Sequence, residues 1–135
     1  MPRPSTEDSI DFWRRYLGGV PPVLDLPIAH ARRRPQPFEA AELTRRTDGL
    51  LADAERVIAA LLVVLHRYSS QTDLVVGLDR SLVDPARPPG DDLVMLRTAV
   101  EASLSGRRLA ERVAAGFERI APHAGLAFER IREAA

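Results

Sequence analysis

Apolar residues recur at helical spacing in four stretches of this chain, and segments rich in proline, glycine or charge separate them. The strongest pattern covers residues 50–68 and predicts a helix with a very wide apolar surface, which we expect to be buried on several sides. Shorter amphipathic helices are predicted at residues 8–17, 105–121 and 126–134. We expect the longest of the four helices to form the centre of the core.

Two segments rich in β-branched residues predict strands. Residues 73–79 are apolar with little alternation, which is typical of a strand buried on both faces, and residues 93–100 predict a second strand. Residues 38–47 are a weaker strand candidate, because Ala-Ala-Glu in the middle is poor β material and a helix competes there. Strands and helices together predict an α+β fold in which a small sheet is packed with helices.

The segments between these elements indicate turns and crossings. Residues 1–7 are predicted to be disordered, and the first helix is expected to take Asp8 or Ser9 as its N-cap. Residues 20–37 are dense in proline, which excludes a helix and favours an extended crossing segment. Residues 80–91 combine prolines with charges and predict a surface loop.

Composition limits the classes of function. A chain of 135 residues forms one domain with one modest core, and its 19 basic and 19 acidic residues cancel, which gives no general attraction to nucleic acid or to an anionic membrane. The absence of cysteine excludes disulfides and thiolate metal sites. The polar N-terminus predicts no signal peptide, and no apolar run reaches the length of a membrane-spanning helix. We therefore expect a cytoplasmic protein.

Three histidines are the main candidates for acid–base chemistry, and they are scattered. His66 could act as a base, but its place at the end of the long apolar helix favours a C-terminal cap that bonds free carbonyl groups. His123 is interpreted as a turn residue, and His30 lies in the proline-rich crossing. The pair Asp91-Asp92 has no third acid nearby. We therefore expect no catalytic residue, no metal site and no cofactor.

Three tracts carry a resemblance to a known family. They are Trp-Arg-Arg-Tyr-Leu at residues 13–17, His-Arg-Tyr-Ser-Ser-Gln-Thr-Asp-Leu-Val-Val-Gly at residues 66–77, and the apolar skeleton of residues 123–131. Together they resemble the second half of a condensation domain of nonribosomal peptide synthetases, whose two lobes are similar to chloramphenicol acetyltransferase. The family-matching positions, which we interpret as structural, are Trp13, Arg14, Leu17, His66, Arg67, Tyr68, Asp73, Gly77, Arg97, Phe128 and Glu129.

The sequence also departs from the family pattern. Asp92 and Leu93 stand where the family has Asn-Thr, and the Gln, Asp and Pro of the last family motif are lost after His123. The catalytic His-His-x-x-x-Asp-Gly, which the family places between its two lobes, has no counterpart here. The resemblance therefore implies a partial chloramphenicol acetyltransferase-like lobe without condensation activity of its own.

We expect residues 8–134 to be a truncated condensation-like domain that acts in docking or scaffolding within a peptide synthetase system. The partner would be a synthetase module, a tailoring enzyme or a carrier protein. Arg32, Arg33 and Arg34 are the candidate contact for the acidic helix or the phosphopantetheine phosphate of a carrier protein, with a solvated loop as the alternative. Two other interpretations stay open: half of a split enzyme that needs a separate first lobe, and a gene remnant without function.

Overall fold

The computed structural model describes residues 3–27, 41–44 and 53–135. In chain order these residues form α1 (Thr6–Leu17), α2 (Ala54–Ser69), β1 (Asp73–Asp79), β2 (Leu93–Ala99), α3 (Gly106–Ile120) and α4 (Phe128–Ala134). Short 3₁₀ helices lie at Arg80–Leu82 and Ala121–His123. The described part of the chain thus combines four α-helices with one two-stranded antiparallel sheet, which confirms the predicted mixture of helices and a small sheet.

A capping box at Ser5 and Asp8 starts helix α1. The Ser5 hydroxyl oxygen accepts the N–H of Asp8 at 3.1 Å, and the Asp8 carboxylate accepts the N–H of Ser5 at 3.1 Å. The helix therefore begins at Thr6, so the predicted cap at Asp8 or Ser9 is wrong, and Thr6 and Glu7 are helical where we expected disorder. Asp8 instead lies at the third helical position, where a carboxylate also complements the helix dipole.

Helix α2 lies where the apolar pattern predicted it, with residues 50–52 outside the described residues. It buries only Ile58, Ala59 and Leu62, so the expectation that it is buried on several sides is wrong. An almost continuous apolar pattern identifies the helix but does not say which of its faces are covered. The helix ends at Ser70, which adopts a left-handed conformation with φ of 59° and donates its N–H to the carbonyl of His66 at 2.8 Å.

The two strands pair from Asp73 opposite Ala99 to Asp79 opposite Leu93. Burial alternates along both strands, and the inner face is formed by Leu74, Val76, Leu78, Val94, Leu96 and Thr98. The positions of both strands are confirmed, but β1 is buried on one face only, where we expected burial on both. The opposite face carries Val75, Gly77, Leu93 and Met95 and is half-buried or exposed.

Two pairs of helices surround the sheet. Helices α2 and α3 pack against each other and contact β1 and β2, respectively, while α1 packs against α4. The largest fully buried side chains belong to all the elements except β1 and are Trp13, Leu62, Leu96, Leu109, Ile120, Ile131, Val94 and Val113. No helix among the described residues is long and apolar enough to cross a membrane.

The weaker predictions of the N-terminal half have mixed outcomes. The described residues of the proline-rich segment contain no helix after Gly19, as expected. Residues 41–44 of the candidate strand have no regular structure, and the rest of that candidate lies outside the described residues. In the C-terminal half, α3 is capped by Ser105 as predicted, and α4 begins at Phe128, two residues later than predicted.

Gly116 allows the close approach of α3 to β2. A Cβ atom at this position would lie 2.6 Å from Cδ1 of Leu96, which is fully buried. Alanine favours a helix by about 1 kcal/mol over glycine, but overpacking a core costs about 1–3 kcal/mol. We therefore expect Gly116→Ala to lower the free energy of unfolding, measured by urea denaturation, by about 1 kcal/mol.

The matched control is Gly106→Ala at the first position of the same helix. A Cβ atom there meets nothing within 4 Å, so this variant should be neutral or slightly stabilising. Equal stability of the two variants would contradict the close approach of α3 to β2 at Gly116.

Candidate functional site

The Arg97 side chain joins α1 to both strands. Its Nε and Nη2 donate to the two carboxylate oxygens of Asp73 on β1 at 2.9 and 2.7 Å, which is the paired geometry that suits a guanidinium group. Its Nη1 donates to the carbonyls of Tyr16 and Gly18 at 2.8 and 3.0 Å. A cation thus satisfies free carbonyl groups at the C-terminal end of α1, where the helix dipole also favours positive charge.

Tyr16 occupies the outer edge of β2 at Arg97. Its hydroxyl accepts the backbone N–H of Arg97 at 2.9 Å and donates to the Arg97 carbonyl at 3.1 Å. On the same edge, Arg112 of α3 donates to the carbonyl of Ala99 at 2.7 Å. Burial raises the pKa of Tyr16, whereas the hydrogen bonds from Arg97 lower the pKa of Asp73. The hydroxyl therefore stays protonated as a structural group and the carboxylate stays charged.

Arg80 forms a second ion pair at the other end of the sheet. Its side chain is 5% exposed, and its Nη2 donates to Asp92 at 2.5 Å and to the carbonyl of Leu126 at 2.8 Å. The same Asp92 oxygen accepts the N–H of Phe128 at 3.1 Å. Burial pushes the pKa of Asp92 up, but hydrogen bonds from Leu93 and Phe128 and the charge of Arg80 outweigh it and lower the pKa. This cluster holds the segment before α4 at the Leu126 carbonyl and bonds the N–H of Phe128, the first residue of α4.

Replacing Asp92 by the Asn that the family has at this place should destabilise the chain. Asp92→Asn leaves the buried Arg80 charge uncompensated, and breaking one side of such a pair costs about 3–5 kcal/mol when burial is complete. Because Asp92 is itself partly exposed, we expect a loss of about 2–3 kcal/mol in the free energy of unfolding at pH 7. Urea denaturation measures the loss.

The neighbouring Asp91→Asn is the matched control. Asp91 pairs with Arg87 at 3.5 Å, and both side chains are more than a third exposed. Surface pairs of this kind contribute about 0–1 kcal/mol, so the control should change stability little. A loss at Asp92 no larger than the loss at Asp91 would show that the Arg80 pair is not important for stability.

A ring cluster around His123 holds α1 against the C-terminal helices. The imidazole stacks on Phe12 with ring centroids 3.9 Å apart, and its Nδ1 lies 3.2 Å from the hydroxyl of Ser9. The indole N–H of Trp13 donates to the His123 carbonyl at 3.2 Å. Pro122 and His123 therefore belong to a packed 3₁₀ turn, and His123 has a structural environment.

The environment of His123 predicts a pH dependence of stability. Burial lowers the pKa of His123 from its ordinary value of 6.5, and the Asp8 carboxylate only partly opposes the shift. The unfolded chain then binds the proton more readily, so the free energy of unfolding falls as the pH drops below about 6.5. We expect His123→Asn to show a smaller loss than the wild type between about pH 7.5 and pH 5.5.

Urea denaturation at several pH values measures this difference. Carboxylates with a lowered pKa, such as Asp73, lose their contribution to the free energy of unfolding only as the pH falls below about 3.8, the ordinary pKa of the group. They therefore do not affect the range between about pH 7.5 and pH 5.5. An unchanged slope in His123→Asn would contradict the assignment.

His66 closes the turn between α2 and β1. Its Nδ1 lies 2.8 Å from the carbonyl of Gln71, and because a carbonyl only accepts, Nδ1 carries the proton in this contact. The contact is structural in kind, although it reaches a carbonyl beyond the helix and not one of the last turn. His66 and His123 thus lie on separate elements with separate partners. The described residues contain no group of three or more His, Cys, Asp or Glu that could hold a metal ion.

The other family-matching positions do not converge on one site. Leu17 is buried in the core, and Phe128 is half-buried at the start of α4. The exposed positions are Arg14, Arg67, Tyr68, Gly77 and Glu129. The candidate contact at Arg32, Arg33 and Arg34 lies outside the described residues and stays a prediction.

An exposed apolar row runs along α2. It consists of Val57, Leu61, Val64 and Tyr68, which are 41%, 45%, 49% and 64% exposed. Their spacing of four, three and four residues places them on one side of the helix, and we call them the α2 stripe. A groove of about 610 Å³ between α2 and α3 is lined by small residues such as Ala59, Val63, Ala110 and Ala114, and also by the charged residues Asp53, Glu55, Arg56, Arg107 and Glu111. Sequence analysis missed this surface because the apolar pattern was interpreted as burial.

A cleft with several charged groups lies between α1 and α3 at the end of the sheet. It has a volume of about 520 Å³ and is lined by Arg15, Tyr16, Thr72, Asp73, Arg97, Ala99, Glu101 and Arg119. Arg119 lies over the ring of Tyr16, with Cζ 5.3 Å from the ring centroid. No local sequence signal predicts this cleft, because its charges come from α1, β1, β2, the loop after β2 and α3.

Comparison with curated proteins gives partial matches to large synthetases. The chain is 35% identical over 81 residues to phosphinothricin tripeptide synthetase PhsB of Streptomyces viridochromogenes, covering 50% of this chain and 7% of that protein. Phosphinothricin tripeptide synthetase PhsC of the same organism is 28% identical over 142 residues, covering 90% of this chain and 13% of that protein. Chondramide synthase cmdD of Chondromyces crocatus is 29% identical over 151 residues, covering 98% of this chain and 4% of that protein.

The chain is related to segments of nonribosomal peptide synthetases. It spans between 4% and 13% of the length of PhsC and chondramide synthase, so the similarity concerns one small part of much larger proteins. No family model matches the chain, and no solved structure matches it.

Proposed function

We propose that this chain is a non-catalytic component of a nonribosomal peptide synthetase system, derived from the second lobe of a condensation domain. The relation to synthetase segments supports the setting, and the tracts at residues 13–17, 66–77 and 123–131 support the lobe. The proposed role is docking or scaffolding of a synthetase module, a tailoring enzyme or a carrier protein.

The α2 stripe is the observation that carries the docking role. Four large side chains on one side of a helix expose apolar surface, and such a row is typical of a surface that another protein covers. The groove between α2 and α3 offers small residues together with charged ones of both signs, so a partner there could combine close packing with ion pairs. A partner helix or loop that covers the stripe would remove this surface from water.

The lack of catalysis is proposed from the sequence and from the surroundings of His66 and His123, since His30 lies outside the described residues. The sequence contains no His-His-x-x-x-Asp-Gly. His66 contacts the Gln71 carbonyl and His123 stacks on Phe12, so neither imidazole is placed for acid–base work on a shared substrate. An isolated chain is therefore expected to form no peptide bond.

A split enzyme is the second candidate function, and the outer edge of β1 favours it. The backbone N–H and C=O of Arg97 point away from β1, towards Tyr16. Val75 lies directly opposite Arg97, and in an antiparallel pair both opposite residues then point outward. Gly77, two residues further on, therefore also directs its backbone groups away from β2. Among the described residues, no hydrogen bond is formed by the backbone groups of Val75 and Gly77 on that edge. A strand of a separately encoded first lobe could pair there.

Binding to purified components tests the docking role. The full chain is titrated by calorimetry with carrier proteins and modules of the synthetase made in the same organism. We expect one of them to bind, and Leu61→Ser in the α2 stripe to weaken that binding at least tenfold. Because Leu61 is 45% exposed, the thermal melt of this variant should stay close to that of the wild type.

Arg67→Ser is the matched control, since Arg67 is exposed on the same helix but outside the stripe. An equal loss in both variants, or no binding to any of the purified components, would contradict docking through the stripe. An assay with aminoacylated carrier proteins separates the two candidates: product from the isolated chain contradicts a non-catalytic role. Product that requires an added first lobe supports the split enzyme.

A further inference from the structure

We propose that the cleft between α1 and α3 binds a phosphate ester through Arg15 and Arg119. This site is independent of the α2 stripe and of any docking role. It contains two guanidinium groups without an acidic partner on different helices, the ring of Tyr16 under one of them, and two carboxylates that already accept hydrogen bonds from arginines.

Arg15 and Arg119 are the two arginines of this cleft that have no acidic partner among the described residues. Within the described residues, the arginines without a carboxylate oxygen within 4.0 Å are Arg15, Arg67, Arg108 and Arg119. Two of these four line the same cleft, whereas Arg67 and Arg108 lie elsewhere on α2 and α3. Both residues are exposed, so their charges are accessible from solvent to an anion that enters the cleft.

The two acidic groups of the cleft are already neutralised. Asp73 accepts both hydrogen bonds from the Arg97 fork, and Glu101 accepts one from Arg112 at 3.2 Å. Each carboxylate of the cleft is thus paired with an arginine other than Arg15 or Arg119. The charges of Arg15 and Arg119 therefore give the cleft a net positive charge. An anionic ligand therefore meets attraction without a nearby free carboxylate.

The ring of Tyr16 positions one of the two cations. Arg119 lies over that ring, and the ring itself is fixed by two hydrogen bonds between its hydroxyl and the Arg97 backbone. The attraction between the cation and the ring restricts where the guanidinium group can lie. The arginine consequently loses less conformational freedom when an anion binds.

A phosphate ester fits this arrangement better than a carboxylate. A phosphate ester has three terminal oxygens and up to two negative charges, whereas a carboxylate has two oxygens and one charge, so two guanidinium forks would have to share the carboxylate oxygens. The volume of about 520 Å³ also leaves room for the organic part of an ester. The ester could be a free small molecule or a group attached to a protein, and the chemistry at the cleft is the same.

Nuclear magnetic resonance of the ¹⁵N-labelled full chain tests the site. Inorganic phosphate and then phenyl phosphate are added at constant ionic strength and pH 7, while the Nε–Hε signals of the arginines are followed. We expect the Arg15 and Arg119 signals to shift and to saturate, with a dissociation constant on the order of 1 mM or tighter. Acetate at the same concentrations should bind at least fivefold more weakly.

Arg119→Gln and Arg15→Gln should each weaken phosphate binding at least fivefold, and two independent variants guard against the loss of fold in one. Arg108→Gln is the matched control, because Arg108 is an unpaired arginine on α3 outside the cleft. Shifts that grow linearly without saturation, equal shifts at Arg67 and Arg108, or equal affinity for acetate would each overturn the proposal. Saturable binding of phenyl phosphate as tight as that of phosphate supports an ester ligand, and a loss of binding with the ester overturns it.

Discussion

The arrangement of α1, β1 and β2 depends on the hydrogen bonds of the Arg97 side chain. One guanidinium group bonds the carboxylate of Asp73 on β1 and two carbonyls at the end of α1, while its own backbone is bonded by Tyr16. A two-stranded sheet alone is marginal in water, so β1 and β2 need such contacts to helices. Lysine has one charged nitrogen and could not form this set of bonds, so arginine is required here on geometric grounds.

The second ion pair, between Arg80 and Asp92, does similar work at the opposite end of the strands. It ties the loop before β2 to the carbonyl of Leu126 and to the first N–H of α4. The two clusters have different exposure, since Arg80 is almost fully buried and Arg97 is partly open to solvent. Helices α1 and α4 thus combine buried apolar side chains with these polar contacts to the sheet and its flanking loop.

Local signals in the sequence predicted the helices and strands well, but they did not predict which faces of these elements contact each other. The spacing of apolar residues predicted the four α-helices of the described residues, and runs of β-branched residues predicted the two strands. Both signals lie within a single element, so they can be found without knowing its neighbours. The start of α1 was missed because the Ser5–Asp8 capping box was overlooked, although Ser-x-x-Asp precedes the apolar run. The covered and free faces of α2, and the cleft at Arg15 and Arg119, depend on neighbours far away in the chain. No pattern within one segment reports such neighbours.

The unequal edges of the sheet limit how the described part of the chain can assemble. Tyr16 and Arg112 bond the edge of β2 at Arg97 and Ala99, while the outward backbone groups of Val75 and Gly77 on β1 stay open among the described residues. Two copies joined along β1 would form a four-stranded sheet whose outer strands are both β2. On each outer strand, Tyr16 and Arg112 occupy the edge at Arg97 and Ala99, so a further strand could pair only along residues 93–95, and this short stretch disfavours propagation into a fibre.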